Sequence, residues 1–304
     1  MNAEERTHLE ALRDANLKRL RVLEIREAID GKNTQPEVLI EIEDIRKKIA
    51  DISGQLRPQT IDVELFSHEE IGASDPERIR LNWVDYFNPT LPSPEIWNGQ
   101  LLPQLKSLLQ ALNRKSARLI TLRPKAHLSA GYAFGYTFRQ PTGFQIWIEQ
   151  PIPNTDHVQW WRTDEAPVKD KLLRQESLPG VATGTDLTVE VRATNQDVQG
   201  PVGHYIQQHQ LPIRERILFT LPPNESGRLI VPGGPHALSM AIQIGDAIRE
   251  LPKPTPDRTI HLFGAMPIGL AVLIGTQLNA CEPIQCYEYK RPENVYQPSC
   301  RLVP

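Results

Sequence analysis

The sequence predicts an α/β protein of two related halves behind an α-helical hairpin. Three observations carry this: an aromatic-free N-terminal stretch with a heptad-like stripe, strands alternating with helices beyond it, and a segment that recurs 140 residues downstream.

Residues 7–56 contain no Phe, Trp or Tyr and one Pro, with both charge signs mixed around Leu and Ile, which is a helical composition. Val38, Ile42, Ile45, Ile49, Ile52 and Leu56 fall at intervals of four, three, four, three and four, the narrow stripe of a coiled-coil seam. Thr34, three residues before Glu37, reads as a capping box with Pro36 tolerated in the first turn. Leu9, Leu12, Leu17, Leu20 and Leu23 mark a first helix over 9–28, and Gly31, Lys32 and Asn33 make the turn. Two helices alone cannot fully bury such a seam. The hairpin, residues 1–57, therefore docks on the rest of the chain or on another protein, with Ile42, Ile45, Ile49 and Ile52 as candidate partner-binding residues.

Residues 57–98 carry Asp75-Pro76, Asn88-Pro89 and Leu91-Pro92-Ser93-Pro94 and read as irregular packing, with Trp83, Tyr86, Phe87 and Trp97 turned to the core. An amphipathic helix follows over 95–112 through Ile96, Leu101, Leu105, Leu108, Leu109 and Leu112. Strands are then expected at 117–122, 143–149, 187–191, 217–220, 260–263 and 284–289, and helices at 128–138, 198–209, 235–251 and 267–279. Such alternation implies mainly parallel sheets covered by helices.

Ile120 to Leu128 resembles Ile260 to Ile268 at a constant offset of 140, with Gly135 and Gly275 in register further on. Each copy is a strand, a loop and an apolar helix. Two fused Rossmann-like units forming a pseudo-dimer follow, approximately residues 58–180 and 181–304, and ligands of open α/β sheets sit beyond the carboxyl ends of the strands.

Apolar residues at 39% and charged residues at 23% describe an ordinary folded chain. A net charge of −3 argues against coating duplex DNA but permits a ligand with few phosphates. Cys281, Cys286 and Cys300 form no CxxC pair and imply a reducing cytoplasm. No apolar run of about 18 residues occurs, and Glu4-Glu5-Arg6 follows the start, so neither a membrane span nor export is expected.

Arg123 and Lys125 follow the first strand of the first half, where a phosphate would sit; a solvated surface lysine is the alternative for Lys125. Trp161 and Arg162 suit a nucleobase, by stacking and by a guanidinium, although adjacent Trp160 and Trp161 can also divide between core and surface. Thr194 and Asn195, then Gly233, Gly234 and His236 at a helix start, offer neutral donors, and Met266-Pro267 repeats that geometry. Phosphates are thus expected between Lys125 and the helix starts at Gly234 and Met266, with Trp161 stacking a base. No GxSxG, HExxH or P-loop motif is present, His204 and His209 stand five apart, and no catalytic residue, metal ligand or cofactor is assigned. Cys281 and Cys286 read as small hydrophobes, with a Cys–His pair formed in space left open.

Residues from about 60 to 304 resemble the SAVED domain, a sensor module of bacterial antiphage systems of the cyclic-oligonucleotide (CBASS) and type III CRISPR kinds. The resemblance lies in Ile260-His261-Leu262-Phe263-Gly264-Ala265-Met266-Pro267, Leu270-Ala271-Val272, Leu278-Asn279-Ala280 and Ile284 to Tyr289. It extends to His127 to Tyr136, including Ser129, to Gln159-Trp160-Trp161-Arg162, and to Trp83 to Phe87. It implies two fused CARF-like units that bind a cyclic tri- or tetranucleotide, of the cyclic tri- or tetra-adenylate kind, with Ser129 among the ligand-binding residues. It implies ligand-induced homo-oligomers or filaments, and a non-enzymatic sensor or adaptor; a ring nuclease that cleaves its ligand is the alternative. The segment Glu41 to Arg46 with Ile49-Ala50 resembles short effector-associated hairpins. A separate effector bearing a similar hairpin, for example a TIR NADase, protease or nuclease, is the partner this implies.

Overall fold

The computed structural model describes residues 3–31, 34–56, 60–68, 75–152, 155, 157–224, 227–251, 258–279, 281–291 and 293–303. The chain divides into two compact units, Met1–Gln59 and Thr60–Pro304. The expected hairpin boundary at 57/58, the turn residues Lys32 and Asn33, and the Leu56 side chain lie outside the described residues.

The first unit is a pair of helices, α1 (Ala3–Asp30) and α2 (Pro36–Leu56). Val38, Ile42, Ile45 and Ile52 are buried and Ile49 is half-buried, so the 4-3-4 stripe of α2 faces inward. These residues, expected to meet a partner, are used within the chain itself. Arg19 pairs with Glu41, and Arg46 pairs with Glu24 at 2.8 Å, which ties the two helices along both flanks. Thr34 departs from the capping-box expectation. Its hydroxyl donates to the Gly31 carbonyl at 2.7 Å and the Glu27 carbonyl at 3.3 Å, closing the end of α1. The reason is that α2 begins at Pro36, so Gln35 takes the cap position and Thr34 falls one residue outside. Gly31, at φ +55°, supplies the left-handed residue that ends α1.

The second unit holds two sheets. In the first, β1 (Thr60–Phe66), β2 (Ile79–Asn82), β3 (Leu119–Lys125) and β4 (Gln145–Pro151) run parallel and β5 (Val158–Arg162) closes the edge antiparallel, in the order β2-β1-β3-β4-β5. Between β2 and β3 lie α3 (Val84–Phe87) and α4 (Pro94–Ile96), the latter continuing through a π-turn at Trp97–Leu101 into α5 (Leu102–Asn113). Helix α6 (Leu128–Thr137) connects β3 to β4. The second sheet combines β6 (Arg174–Pro179), β7 (Asp186–Arg192), β8 (Ile213–Thr220), β9 (Ile260–Ala265), β10 (Ile284–Lys290) and β11 (Val295–Leu302) in the order β11-β10-β9-β7-β8-β6. Its helices are α7 (Gln199–His209), α8 (Gly234–Arg249) and α9 (Ile268–Gln277).

Replacing each strand of the first order by its counterpart gives β8-β7-β9-β10-β11, which is the second sheet without β6. The internal repeat is therefore topological as well as sequential. β6 pairs with β8, so the division between sheets falls before Arg174 rather than near 180. β1 and β2 arise inside the stretch read as irregular, although Ile61, Val63 and Leu65 alternate with Asp62 and Glu64 as in a strand with one apolar face.

Helices α6 and α9 lie at the centre. Helix α6 packs on β10 and β11 of the opposite half, and α9 packs on β3 and β4. Gly135 and Gly275 make the crossing: a Cβ on Gly275 would stand 2.5 Å from the Tyr132 carbonyl oxygen, and one on Gly135 would run into the Val272 carbonyl. A continuous core runs from Val63 and Ile148 of the first sheet through Tyr132 and Leu273 to Val189 and Leu262 of the second, and a smaller cluster around Tyr205, Phe263 and Tyr287 lies beside it. Trp83, Phe87 and Trp97 are buried in it and Tyr86 packs against it.

Candidate functional site

Two mainly parallel sheets with their central helices packed together bring two sets of strand ends to one junction. There a cavity of about 720 Å³ opens. Its walls are Ala126 and His127 after β3, Thr194 and Gln196 after β7, Ala265 and Met266 at the end of β9, and Glu288 to Arg291 at the end of β10. Residues 87 and 89–91 complete the rim. This is the carboxyl-end position that open α/β sheets reserve for ligands, and the volume lies within the roughly 300–1,000 Å³ of small-molecule sites.

Two reciprocal hydrogen bonds tie the starts of the central helices to the opposite halves. The Ser129 backbone N–H, in the first turn of α6, donates to Glu288 Oε2 at 2.9 Å. The Gly269 backbone N–H, in the first turn of α9, donates to Gln150 Oε1 at 2.9 Å. Ser129 and Gly269 are 140 residues apart, and each is held by the strand next to the other's sheet end. The helix N-termini at which phosphate was expected thus already have side-chain acceptors, a carboxylate on α6 and a neutral amide on α9. Burial pushes the Glu288 carboxyl up, against the pull of the Ser129 and Leu128 N–H groups.

One wall is aromatic. Phe87 stacks on His127 with centroids 4.4 Å apart, and His68 lies 3.9 Å from His127 on a tilted face. Phe87 is buried and His68 exposed, so the ladder runs from the core to the cavity mouth. Ser67 Oγ and His127 Nδ1 are 2.8 Å apart, and the His127 N–H of the backbone donates to the same hydroxyl at 2.8 Å. Burial first, then the charge of His68, holds the His127 imidazole down to about 3 despite the Ser67 bond, so this ring is a neutral stacking surface. The end of β10 adds cations to the lining. Lys290 Nζ stands 3.3 Å from Glu293, and Arg291 is exposed beside it.

Of the residues expected from sequence, Thr194 and Met266 line this cavity, and Ser129 and Pro267 lie in the two helix starts beneath it. Met266 also takes a contact from the Tyr132 hydroxyl at 3.6 Å. Asn195 turns away, its Oδ1 accepting the Leu229 N–H at 3.1 Å.

The others fall elsewhere. Trp161 is 1% exposed and packs on Gly269, because β5 pairs Trp161 with Ile148 and alternation directs it to the core; Trp160, at 37%, is the outward ring. Arg123 bonds Glu149 at 3.0 Å and lies near Asp62 at 3.5 Å, on the outer face of the first sheet. Arg162 grips Asp164 with two bonds of 3.1 and 2.8 Å and covers the Trp147 ring. Lys125 shares the strand parity of Arg123, and the cavity wall begins one residue later at Ala126. Gly233, Gly234 and His236 start α8 away from the cavity, where the end of the Glu165 side chain lies against Gly234.

Sequence reasoning passed over His68, His127, Glu288, Lys290 and Arg291. The rule that selected Lys125, a cation immediately after a predicted strand, selects Lys290 and Arg291 as well, since they follow the expected strand 284–289. Nothing local marks Glu288, whose role depends on a helix 159 residues away.

The fold recurs in solved structures. The Acinetobacter baumannii Cap4 SAVED/CARF-domain containing receptor, seen with the cyclic trinucleotide 3'3'3'-cAAA, superposes with a TM-score of 0.64 at 18% identity, covering 87% of this chain and 56% of that one. The Moraxella osloensis Cap4 receptor gives 0.59 at 17%, covering 86% and 54%. The CD-NTase-associated protein 4 of Enterobacter hormaechei subsp. hoffmannii (strain UCI 50) is 25% identical over 226 residues, 73% of this chain and 44% of that protein. The chain therefore spans about half the length of the relatives it matches. The model for the SMODS-associated and fused to various effectors sensor domain matches residues 101–302, and with two repeated halves meeting at one strand-end cavity the chain belongs to the SAVED family.

Proposed function

We propose that this chain is a sensor and adaptor of bacterial antiphage signalling that binds a cyclic oligoadenylate, a tri- or tetranucleotide, in the junction cavity. Binding promotes self-association, and a separate effector is recruited or activated in response. The observation that carries the reading is the cavity built jointly by the strand ends of both halves, lined by the stacked rings of Phe87, His127 and His68 and by the cations Lys290 and Arg291. A ring ligand needs these two chemistries, flat faces for bases and cations for a few phosphates. Its fold relative from A. baumannii, seen with a cyclic trinucleotide, supports the ligand class.

In this reading His68 meets a base from the mouth of the ladder, Lys290 and Arg291 meet phosphate oxygens, and Thr194 and Gln196 supply neutral hydrogen bonds. The buried Glu288 and Gln150 hold the two halves in register rather than contacting phosphate. The test is calorimetric titration with cyclic tri-, tetra- and hexa-adenylate, with solution mass followed in parallel. Binding of at least one ring with a rise in mass is expected; no binding to any of them overturns the reading. Linear product accumulating from the bound ring would instead make the chain a ring nuclease.

A further inference from the structure

Helix α1 carries a second heptad stripe that α2 does not cover. Ala11, Ala15, Lys18, Val22, Ile25 and Ile29 fall at intervals of four, three, four, three and four, the same spacing as the buried seam of α2. All six are exposed, with Val22 at 66%, Ile25 at 61% and Ile29 at 78%. The half-buried positions of α1, including Leu20, Leu23 and Glu27, lie on the opposite side of the helix. A lone exposed Ile is ordinary, but three β-branched residues on one heptad stripe form a patch of the kind that marks an interaction surface.

The flanks say what covers it. In heptad terms Ala15, Val22 and Ile29 are a positions, Ala11, Lys18 and Ile25 are d positions, and Arg19, Arg21 and Arg26 stand beside them at e and g. A parallel pairing with a second copy of α1 would set Arg21 against Arg26 and Lys18 against Lys18. An antiparallel pairing centred on Val22 and Ile25 would set Arg19 against Arg26. Like charges across a seam disfavour both. Arg19 and Arg26 are already bonded within the hairpin, to Glu41 and Asp30, and Arg21 and Lys18 are exposed beside the apolar stripe.

We infer that the outer face of α1, centred on Val22, Ile25 and Ile29, docks a helix of another protein that carries an apolar heptad seam flanked by Glu or Asp. This deepens the adaptor reading, on which it rests, and moves the docking residues from α2 to α1. The stripe Ile42, Ile45, Ile49 and Ile52 holds the hairpin together, and the partner reads the other side.

The test uses the full chain and two synthetic three-heptad helices with Ile at a and Leu at d, one with Glu and one with Lys at e and g, followed by fluorescence anisotropy. The acidic helix is expected to bind, the basic helix at least about tenfold more weakly, with the acidic complex weakened by salt. Ile25→Asp, an exposed substitution, is expected to abolish binding while leaving titration by cyclic oligoadenylate unchanged. Equal binding of both helices, binding of neither, or a self-dimer that Ile25→Asp dissolves would overturn the inference. A chain that binds the acidic helix but no cyclic oligonucleotide would overturn only the sensor reading, so the two failures are distinct.

Discussion

The backbone N–H of Ser129 donates to the buried carboxylate of Glu288 at 2.9 Å, joining the first turn of one central helix to a strand of the other half. Its counterpart, Gly269 to Gln150, has the same length and the opposite direction. The two halves are thus clasped by two homologous bonds whose acceptors differ, a carboxyl on one side and an amide on the other.

Substitution of that acceptor separates hydrogen bonding from charge. Glu288→Gln reproduces the Gln150 arrangement and removes a desolvated carboxyl, and should leave stability within about 1 kcal/mol of the parent. Glu288→Ala strands the Ser129 N–H in the interior and should cost about 1–3 kcal/mol. Urea denaturation of both variants measures the difference.

The crossing of α6 and α9 tolerates no side chain. Gly135→Ala drives a methyl into the Val272 backbone carbonyl, where neither helix can yield without disturbing the core. A loss of about 3 kcal/mol or more is expected. Gly99→Ala, where a Cβ meets open space, serves as the control and should change the midpoint little.

His127 makes stability depend on pH in a defined direction. The folded chain holds this imidazole down to about 3, against 6.5 when unperturbed, so the unfolded chain takes up the proton first as pH falls. Its contribution is complete above about pH 6.5 and is lost from there toward pH 3, with a slope of up to about 1.4 kcal/mol per pH unit. The raised Glu288 carboxyl acts oppositely, adding stability at low pH that is lost as pH rises. Comparing the parent with His127→Asn between pH 4 and pH 6 isolates the histidine: the variant should lose less stability across that interval.

Ligand affinity distinguishes the cavity from the surfaces first expected to bind. Lys290→Ala and Arg291→Ala should each weaken cyclic oligoadenylate binding and flatten its salt dependence, and His68→Ala should cost about tenfold or more through lost stacking. Arg162→Ala and Lys125→Ala should leave affinity nearly unchanged, because neither residue lines the cavity. Isothermal titration at two salt concentrations checks all five.

Much of this was legible in the chain. Periodic residues announce their own faces, so the stripe from Val38 to Ile52 marked a buried helix side, and Ile120 to Leu128 with its copy 140 residues later marked two related halves. Legibility failed where the face of a residue depends on a neighbouring strand. Trp160 and Trp161 are equivalent as letters; pairing with β4 sends one outward and the other into the core. Strands β1 and β2 escaped although Ile61, Val63 and Leu65 alternate with Asp62 and Glu64, because the Pro and turn residues that follow them make the whole stretch read as irregular.

By itself, then, the sequence determined the hairpin, the order of most strands and helices, and the doubling of the unit, because these follow from spacings of a few residues along one chain. Only the tertiary structure decided which strand ends share a cavity, that Glu288 and Gln150 occupy the helix starts reserved for phosphate, and that α1 rather than α2 shows an uncovered stripe. Those outcomes depend on contacts between residues more than 100 positions apart, or on which of two apolar faces finds a neighbour, and no local period encodes either.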